Sequence, residues 1–431
     1  MKNKIGYLSN KFYDRTKKAG IISALLLGEK FIDYKFRVAK REFLLPLELK
    51  FRLYKRKEEI RNGLKTEAIK NQTLQFIENM RFKDTPYGIY KYSPCQTTPV
   101  LYASLYAAMT RHLYNDFADL TIQEKNEWVQ YIKSYQCDDG WFRDPEIKCD
   151  LAESADWWGW KHMTFHAIMA LSCLDAIADK KFSVLESFKD NKYIEKWFKN
   201  LHIKKIPSSE TNAHLPLYMI TLLQYARDNQ TAIWANSAIE KVIGLLNSEI
   251  DPNTGCWCTG NGQKKLVNEG VKIAYHFWIF YFYDKLPIMF PERVIDSVLS
   301  TQNPYGGFNY NINSSACDDI DSIDPLCRLK NSTDYKKEEI EASLNRSIPW
   351  ILANMNDDGG FVFQRGRGFT YGHRKMYSGY NESNMFATWF RTLSLSYIGK
   401  ALPSSFLGKY QWNIRSFPGL QFWNEDEKLK K

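Results

Sequence analysis

Apolar residues recur along this chain at i, i+3 and i+4, the helical period, and strand-type alternation is scarce. Ile168, Leu171, Cys173 and Leu174 show the spacing most clearly. It predicts a helix over residues 154–175 and a second over about 184–200. Between such stretches stands a recurring phrase: an acidic or amide residue, a few residues, then Gly and an aromatic. It reads Gln136-Cys-Asp-Asp-Gly140-Trp141, Asp251-Pro-Asn-Thr-Gly255-Cys-Trp257, Gln302-Asn-Pro-Tyr-Gly306-Gly-Phe308 and Asn356-Asp-Asp-Gly359-Gly-Phe361. A weaker copy is Asp84-Thr-Pro-Tyr-Gly88-Ile-Tyr90. With Gly88, Gly140, Gly255, Gly307 and Gly360 as markers, the gaps are 52, 115, 52 and 53 residues. The long gap predicts a degenerate unit around residues 195–210, which makes six units of roughly 50–57 residues. Each holds two helical stretches. Six helical hairpins predict an all-α closed ring, an inner circle of helices within an outer one. An open solenoid is the structural alternative.

Charge divides the chain further. Of the net +10, residues 1–70 carry 19 Lys and Arg against 8 Asp and Glu, or +11, which leaves −1 for the rest. That segment also holds Phe31, Phe36, Phe43, Leu44, Leu47, Phe51 and Leu53. It reads as a basic amphipathic helical extension, suited to a membrane surface or to a cap on the ring. The ring is then expected over 71–402, with a tail over 403–431. No helix-turn-helix or finger pattern is present, so nucleic acid is not an expected partner. The eight cysteines form no C-x-x-C pair, and Cys256-Trp-Cys258 lacks a second pair at zinc spacing. A reducing cytosol is expected, with no signal peptide and no apolar run long enough to span a bilayer.

The Gln-x-x-x-Gly-Trp and Gly-Gly-Phe phrases resemble the repeats of the terpenoid cyclase and protein prenyltransferase superfamily over about residues 75–400. The resemblance implies an α6/α6 toroid, with Trp141, Trp257, Phe308 and Phe361 as braces and the start of each inner helix facing a cavity. In the first unit this places Cys95-Gln-Thr-Thr98 at the cavity. The second brings Glu153, Asp156, Trp157, Trp158, His162 and His166, and the third Glu210, Asn212 and His214. Glu269, Lys272 and His276 follow in the fourth, and Asp318, Asp319, Asp321 and Asp324 in the fifth. The sixth contributes Tyr380, Glu382, Asn384 and Arg391, with His373 and Arg374 in the preceding loop. Buried carboxylates and imidazoles are costly unless paired, so this concentration points to a site. N-capping accounts for Ser154, Asn384 and some of the fifth-unit aspartates.

The family's two chemistries fit unequally. Class II terpenoid cyclases carry Asp-x-Asp-Asp where this chain has Asp319-Ile-Asp321-Ser322. Asp321 falls at the proton donor, and Ser322 replaces the last aspartate, within hydrogen-bonding reach of Asp321. The prenyltransferase zinc motif lacks its thiolate at Asp321 and its imidazole at Ala387, so no zinc site of that type is expected. The first reading is an enzyme acting on an isoprenoid or prenyl diphosphate. Asp321 would be the general acid, Asp319 its partner, His162 and His276 bases, and Lys272, Arg374 or Arg391 a diphosphate clamp, with Mg2+ accompanying the diphosphate. The second is a glycan-processing enzyme, with acid–base pairs drawn from Glu153, Asp156, Glu210, Glu269, Asp321 and Glu382 and platforms from Trp157, Trp158 and Trp160. The third is a non-catalytic interaction module. The expected partners are a small-molecule or lipid-linked substrate, a membrane surface through residues 1–70, and a subunit that closes the ring.

Overall fold

The structure, a computed structural model, describes residues 43–147, 159–203, 214–257 and 263–419. Two compact units divide the chain, residues 1–52 and 53–431. In the first unit residues 43–52 are helical, and Arg52 Nε donates to Glu48 Oε1 at 3.2 Å, one turn away. Phe43, Leu47 and Phe51 form an apolar stripe there, 79%, 59% and 68% exposed.

The second unit opens with helical residues 53–61 and continues through α1 (Thr66–Asn79), α2 (Leu101–Leu113), α3 (Ile122–Lys133), α4 (Trp160–Cys173), α5 (Asn191–Leu201) and α6 (His214–Asn229). Next come α7 (Ala235–Asn247), α8 (Lys264–Tyr283), α9 (Pro291–Ser300), α10 (Ala316–Ser332), α11 (Lys337–Ala353) and α12 (Met385–Ala401). Among the described residues the only sheet is an antiparallel pair, β1 (Phe369–Thr370) with β2 (Tyr377–Ser378), between α11 and α12. No helix among the described residues is long and apolar enough to cross a membrane.

The helices fall into two kinds by burial. Every residue of α2 is buried, and every residue of α12 except Lys400. By contrast, α3 buries only Trp128 and Ile132, and α5 only Ile194 and Leu201. A helix apolar on all sides belongs inside, and one with a single stripe belongs outside. Packing follows this division. In order, α2 lies on α4, α4 on α6, α6 on α8, α8 on α10, α10 on α12, and α12 returns to α2. Outside them, α3 covers α2 and α4, α7 covers α6, α9 covers α8 and α10, and α11 covers α10 and α12.

The phrase aromatics are core: Trp141, Trp257, Phe308 and Phe361 are all nearly or fully buried. In the Gly-Gly phrases the turning residue is the first glycine, since Gly306 and Gly359 take φ of +98° and +87°. The markers Gly307 and Gly360 therefore stand one residue late. A side chain on Gly359 would collide with the Gln72 carbonyl of α1, so the last turn is seated on the first helix. One expected element also changes. The stretch expected as one helix over 184–200 is a 3-10 segment, Ser183–Lys189, followed by α5. Asp190 separates them, its side chain accepting from Lys192 N at 2.9 Å to cap α5. In the degenerate unit α5 ends on His202 in the left-handed conformation, whereas α1, α3, α7, α9 and α11 end on residues in the right-handed conformation.

Candidate functional site

Helical geometry sorts the polar residues of the inner helices. His162 and His166 lie one turn apart on α4, and Glu269, Lys272 and His276 share a face of α8. Asp318 and Asp321 share a face of α10, whereas Asp319 is turned about 200° from Asp321 at 3.6 residues per turn. The residues on these faces meet in a cavity of about 690 Å³. His162, His166, His214, Glu269, Lys272, His276, Asp318 and Asp321 line its polar side. Asn309, Asn311, Gln364 and Arg367 add further polar groups. The other wall is aromatic. Phe363 stacks on Phe369 with 3.7 Å between ring centroids, and Tyr371 on Phe386 at 4.1 Å and 14°.

Lys272 is committed within the polar wall. Its Nζ lies 3.1 Å from Glu269 Oε1 and 3.1 Å from Asp318 Oδ1. Burial opposes its charge, but the two carboxylates outweigh that and hold the ammonium above its ordinary value. Asp318 also closes a capping box, accepting from Ser315 N and Oγ, each at 2.8 Å. Asp321 differs. It is 4% exposed, lines the cavity and has no hydrogen-bond partner among the described residues. Burial first, and Asp318 second, push its carboxyl well up, so it is biased toward the protonated form. Ser322 does not reach it: Ser322 Oγ is buried with no partner among the described residues.

His162, His166 and His276 are neutral bases. His166 Nδ1 donates to His162 O at 2.9 Å, and His276 Nδ1 donates to Lys272 O at 2.7 Å, so each has its lone pair on Nε2. Burial pushes His166 down to about 3, and takes His162 and His276 well below the usual imidazole value. The rings come in pairs, with centroids 4.2 Å apart for His162 and His166 and 4.1 Å apart for His214 and His276. His162 is held at both ends, by Tyr102 Oη on Nδ1 and Tyr371 Oη on Nε2, each at 2.8 Å.

Other expected site residues lie elsewhere. Asp319 accepts from Phe308 N at 3.0 Å, Ser314 Oγ at 2.6 Å, Trp350 Nε1 at 2.9 Å and Arg391 Nη1. It and Arg391 form a buried clasp between α10, α11 and α12, and neither lines the cavity. Asp324 pairs with Arg328 in the core. Glu382 braces two loops, accepting from Cys95 N at 2.7 Å and from Gly379 N. His373 accepts from Lys375 N at 3.3 Å, and Arg374 is exposed. Trp160 packs edge-on against Trp141 at 4.6 Å rather than facing the cavity. Glu153, Asp156, Trp157, Trp158, Glu210 and Asn212 lie outside the described residues.

Asn309, Asn311, Gln364, Arg367 and Tyr371 at the cavity, and Tyr102 behind His162, were not expected from sequence. Tyr102 escaped because α2 starts at Leu101, later than Cys95–Thr98, where Asp144 Oδ2 from the second unit caps Leu101 N at 2.8 Å. Tyr371 follows β1 in a segment without helical period, and only its run of Gly and aromatic residues marks it. Among the described residues no group of three or more His, Cys, Asp and Glu is arranged to hold a metal ion. No protein-family model and no curated protein matches the chain.

Proposed function

We propose that the second unit is an α6/α6 toroid of the terpenoid-cyclase type, and that its cavity carries out acid–base chemistry on a glycan. The observation that carries this is Asp321, an unpartnered and buried carboxyl facing an aromatic wall across a polar cavity. A carboxyl kept protonated by its surroundings is a general acid poised to protonate a leaving oxygen. Stacked rings accept the C–H face of a sugar, while Asn309, Asn311, Gln364 and the imidazole Nε2 atoms meet its hydroxyls.

An isoprenoid fits the polar wall less well. A carbocation beside the Nε2 lone pairs of His166 and His276 would lose a proton or be trapped at once. Two residues of the expected diphosphate clamp are also spent, Lys272 on Glu269 and Asp318 and Arg391 on Asp319, and the third, Arg374, does not line the cavity. The aromatic wall alone favours the isoprenoid, which remains the second reading.

The test is incubation of the full chain with oligosaccharides and, separately, with prenyl diphosphates and squalene, with wild type and Asp321→Asn in parallel. Glycan turnover that falls roughly 10²–10⁴-fold in the variant is expected. Turnover of prenyl compounds alone, or equal activity in both proteins, refutes the reading.

A further inference from the structure

We infer that Tyr371 is the base of this site, acting through His162, and that the substrate is a uronate-containing glycan cleaved by β-elimination. This rests on the glycan reading above and adds to it the substrate's charge and the bond-breaking step. The hydrogen bonds around His162 have one direction. Tyr102 Oη donates to Gly159 O at 2.9 Å, so toward His162 Nδ1 it accepts. The proton of this neutral imidazole therefore sits on Nδ1, a tautomer assigned from the network. Nε2 is left as an acceptor, and it takes the Tyr371 hydroxyl proton at 2.8 Å. Tyr371 lines the cavity, and its ring is fixed against Phe386. Its oxygen can then accept a proton from substrate while passing its own to His162, a relay that runs only inward.

The partner groups decide what that relay is for. Hydrolysis needs a second free carboxylate opposite the acid. Here Asp318 and Glu269 are both tied to Lys272. Elimination needs only an acid, a base and a carbon made acidic by an adjoining carboxylate whose charge is matched. Arg367 supplies the match: it lines the cavity, is exposed, and its guanidinium has no partner among the described residues. Its planar fork suits a carboxylate bidentately.

The step balances without oxidant or water. Tyr371 takes the proton α to the substrate carboxylate, and the Tyr371 proton moves to His162 Nε2. The C–H electron pair becomes a C=C bond as the β C–O bond breaks. Asp321 protonates the leaving oxygen, and His162 returns its proton through solvent to restore Asp321.

The experiment offers polymannuronate, polygalacturonate and hyaluronan, with amylose as the neutral control, and follows two signals. One is the ultraviolet absorbance of the conjugated C=C–carboxylate product, the other the appearance of reducing ends. Both are expected to rise together on at least one uronate polymer and on no neutral one. Tyr371→Phe should lower kcat by roughly 10²–10⁴-fold. Arg367→Gln, on an exposed side chain that leaves folding intact, should raise KM on the same polymer. His162→Asn should move the acid limb of the kcat/KM profile, which a purely structural role would not do. Reducing ends without absorbance overturn the elimination and leave the glycan reading standing. Full activity in a folded Tyr371→Phe overturns the base. No product from any glycan, with turnover of prenyl compounds, overturns both readings.

Discussion

Asp319 and Asp321 stand two residues apart on one helix, yet replacing each by Asn should shift stability in opposite directions. Asp319 accepts four hydrogen bonds, and it and Arg391 are each 1% exposed. Asp319→Asn turns one acceptor into a donor and leaves the Arg391 guanidinium buried without its counter-charge. Breaking one side of a buried pair costs about 3–5 kcal/mol. Asp321→Asn removes no hydrogen bond among the described residues and replaces a mostly protonated carboxyl with a neutral group of the same shape. The folded state holds this proton up to a raised pKa, whereas the unfolded chain releases it near about 3.9. The favourable contribution of Asp321 is thus complete below about pH 3.9 and is lost as pH rises toward the folded value. Relative to wild type, Asp321→Asn should gain stability as pH rises above about 4, by up to about 1.4 kcal/mol per pH unit until the raised folded value is reached. Urea denaturation at fixed m reads both differences from the midpoint. The reasoning is refuted if Asp319→Asn costs less than about 1 kcal/mol, or if the Asp321→Asn difference is flat with pH.

Three further outcomes are expected. Gly63→Ala should cost about 1–2 kcal/mol for its φ of +88° alone, since nothing lies within 4 Å, whereas Gly359→Ala should cost about 3 kcal/mol or more because Gln72 blocks it; equal midpoints in urea would sink the argument. His166, pushed down to about 3 by burial, binds no proton when folded, so stability falls as pH drops below about 6.5, and His166→Gln should remove about 1.4 kcal/mol per pH unit of that acid slope in thermal or urea titrations. Leu47→Asp with Phe51→Asp should weaken sedimentation with anionic vesicles about tenfold or more, as should raised salt, given the exposed stripe and the +11 of residues 1–70; unchanged binding would rule out the stripe as the contact.

Local signals were legible in the sequence, and partnerships across the fold were not. The 3.6-residue period of Ile168 to Leu174 and the spacing of the Gly-aromatic phrase are written within single units, so α4 and the turns could be read directly. Helical angle also sufficed to set Asp318 beside Asp321, but the family phrase Asp319-Ile-Asp321 drew attention to the wrong neighbour. What separates the two is Arg391, 72 residues on, and Trp350, 31 residues on, and no spacing rule reaches either. Glu382 stands just before α12 and Arg391 two turns inside it, yet their atoms are used by Cys95 and Asp319. Tyr371 was hidden for the opposite reason: it follows a two-residue strand in an irregular segment, where no period exists to reveal which way a side chain faces.

The return of α12 to α2 has a consequence for synthesis. Tyr92 Oη donates to Asn384 Oδ1 across 292 residues, at 3.2 Å, and Tyr92 O accepts from Met385 N. At about 5–20 residues per second, α2 waits roughly 15–60 s after translation before α12 exists. Through that interval a helix buried on every side in the finished protein has one flank uncovered. In an open array each repeat meets its neighbour as soon as both are made, and losing the last unit leaves the others folded. Here a chain cut before α12 also strips α2 and α10 of a neighbour, so nascent and truncated forms alike should depend on a chaperone, and the finished second unit should unfold as one.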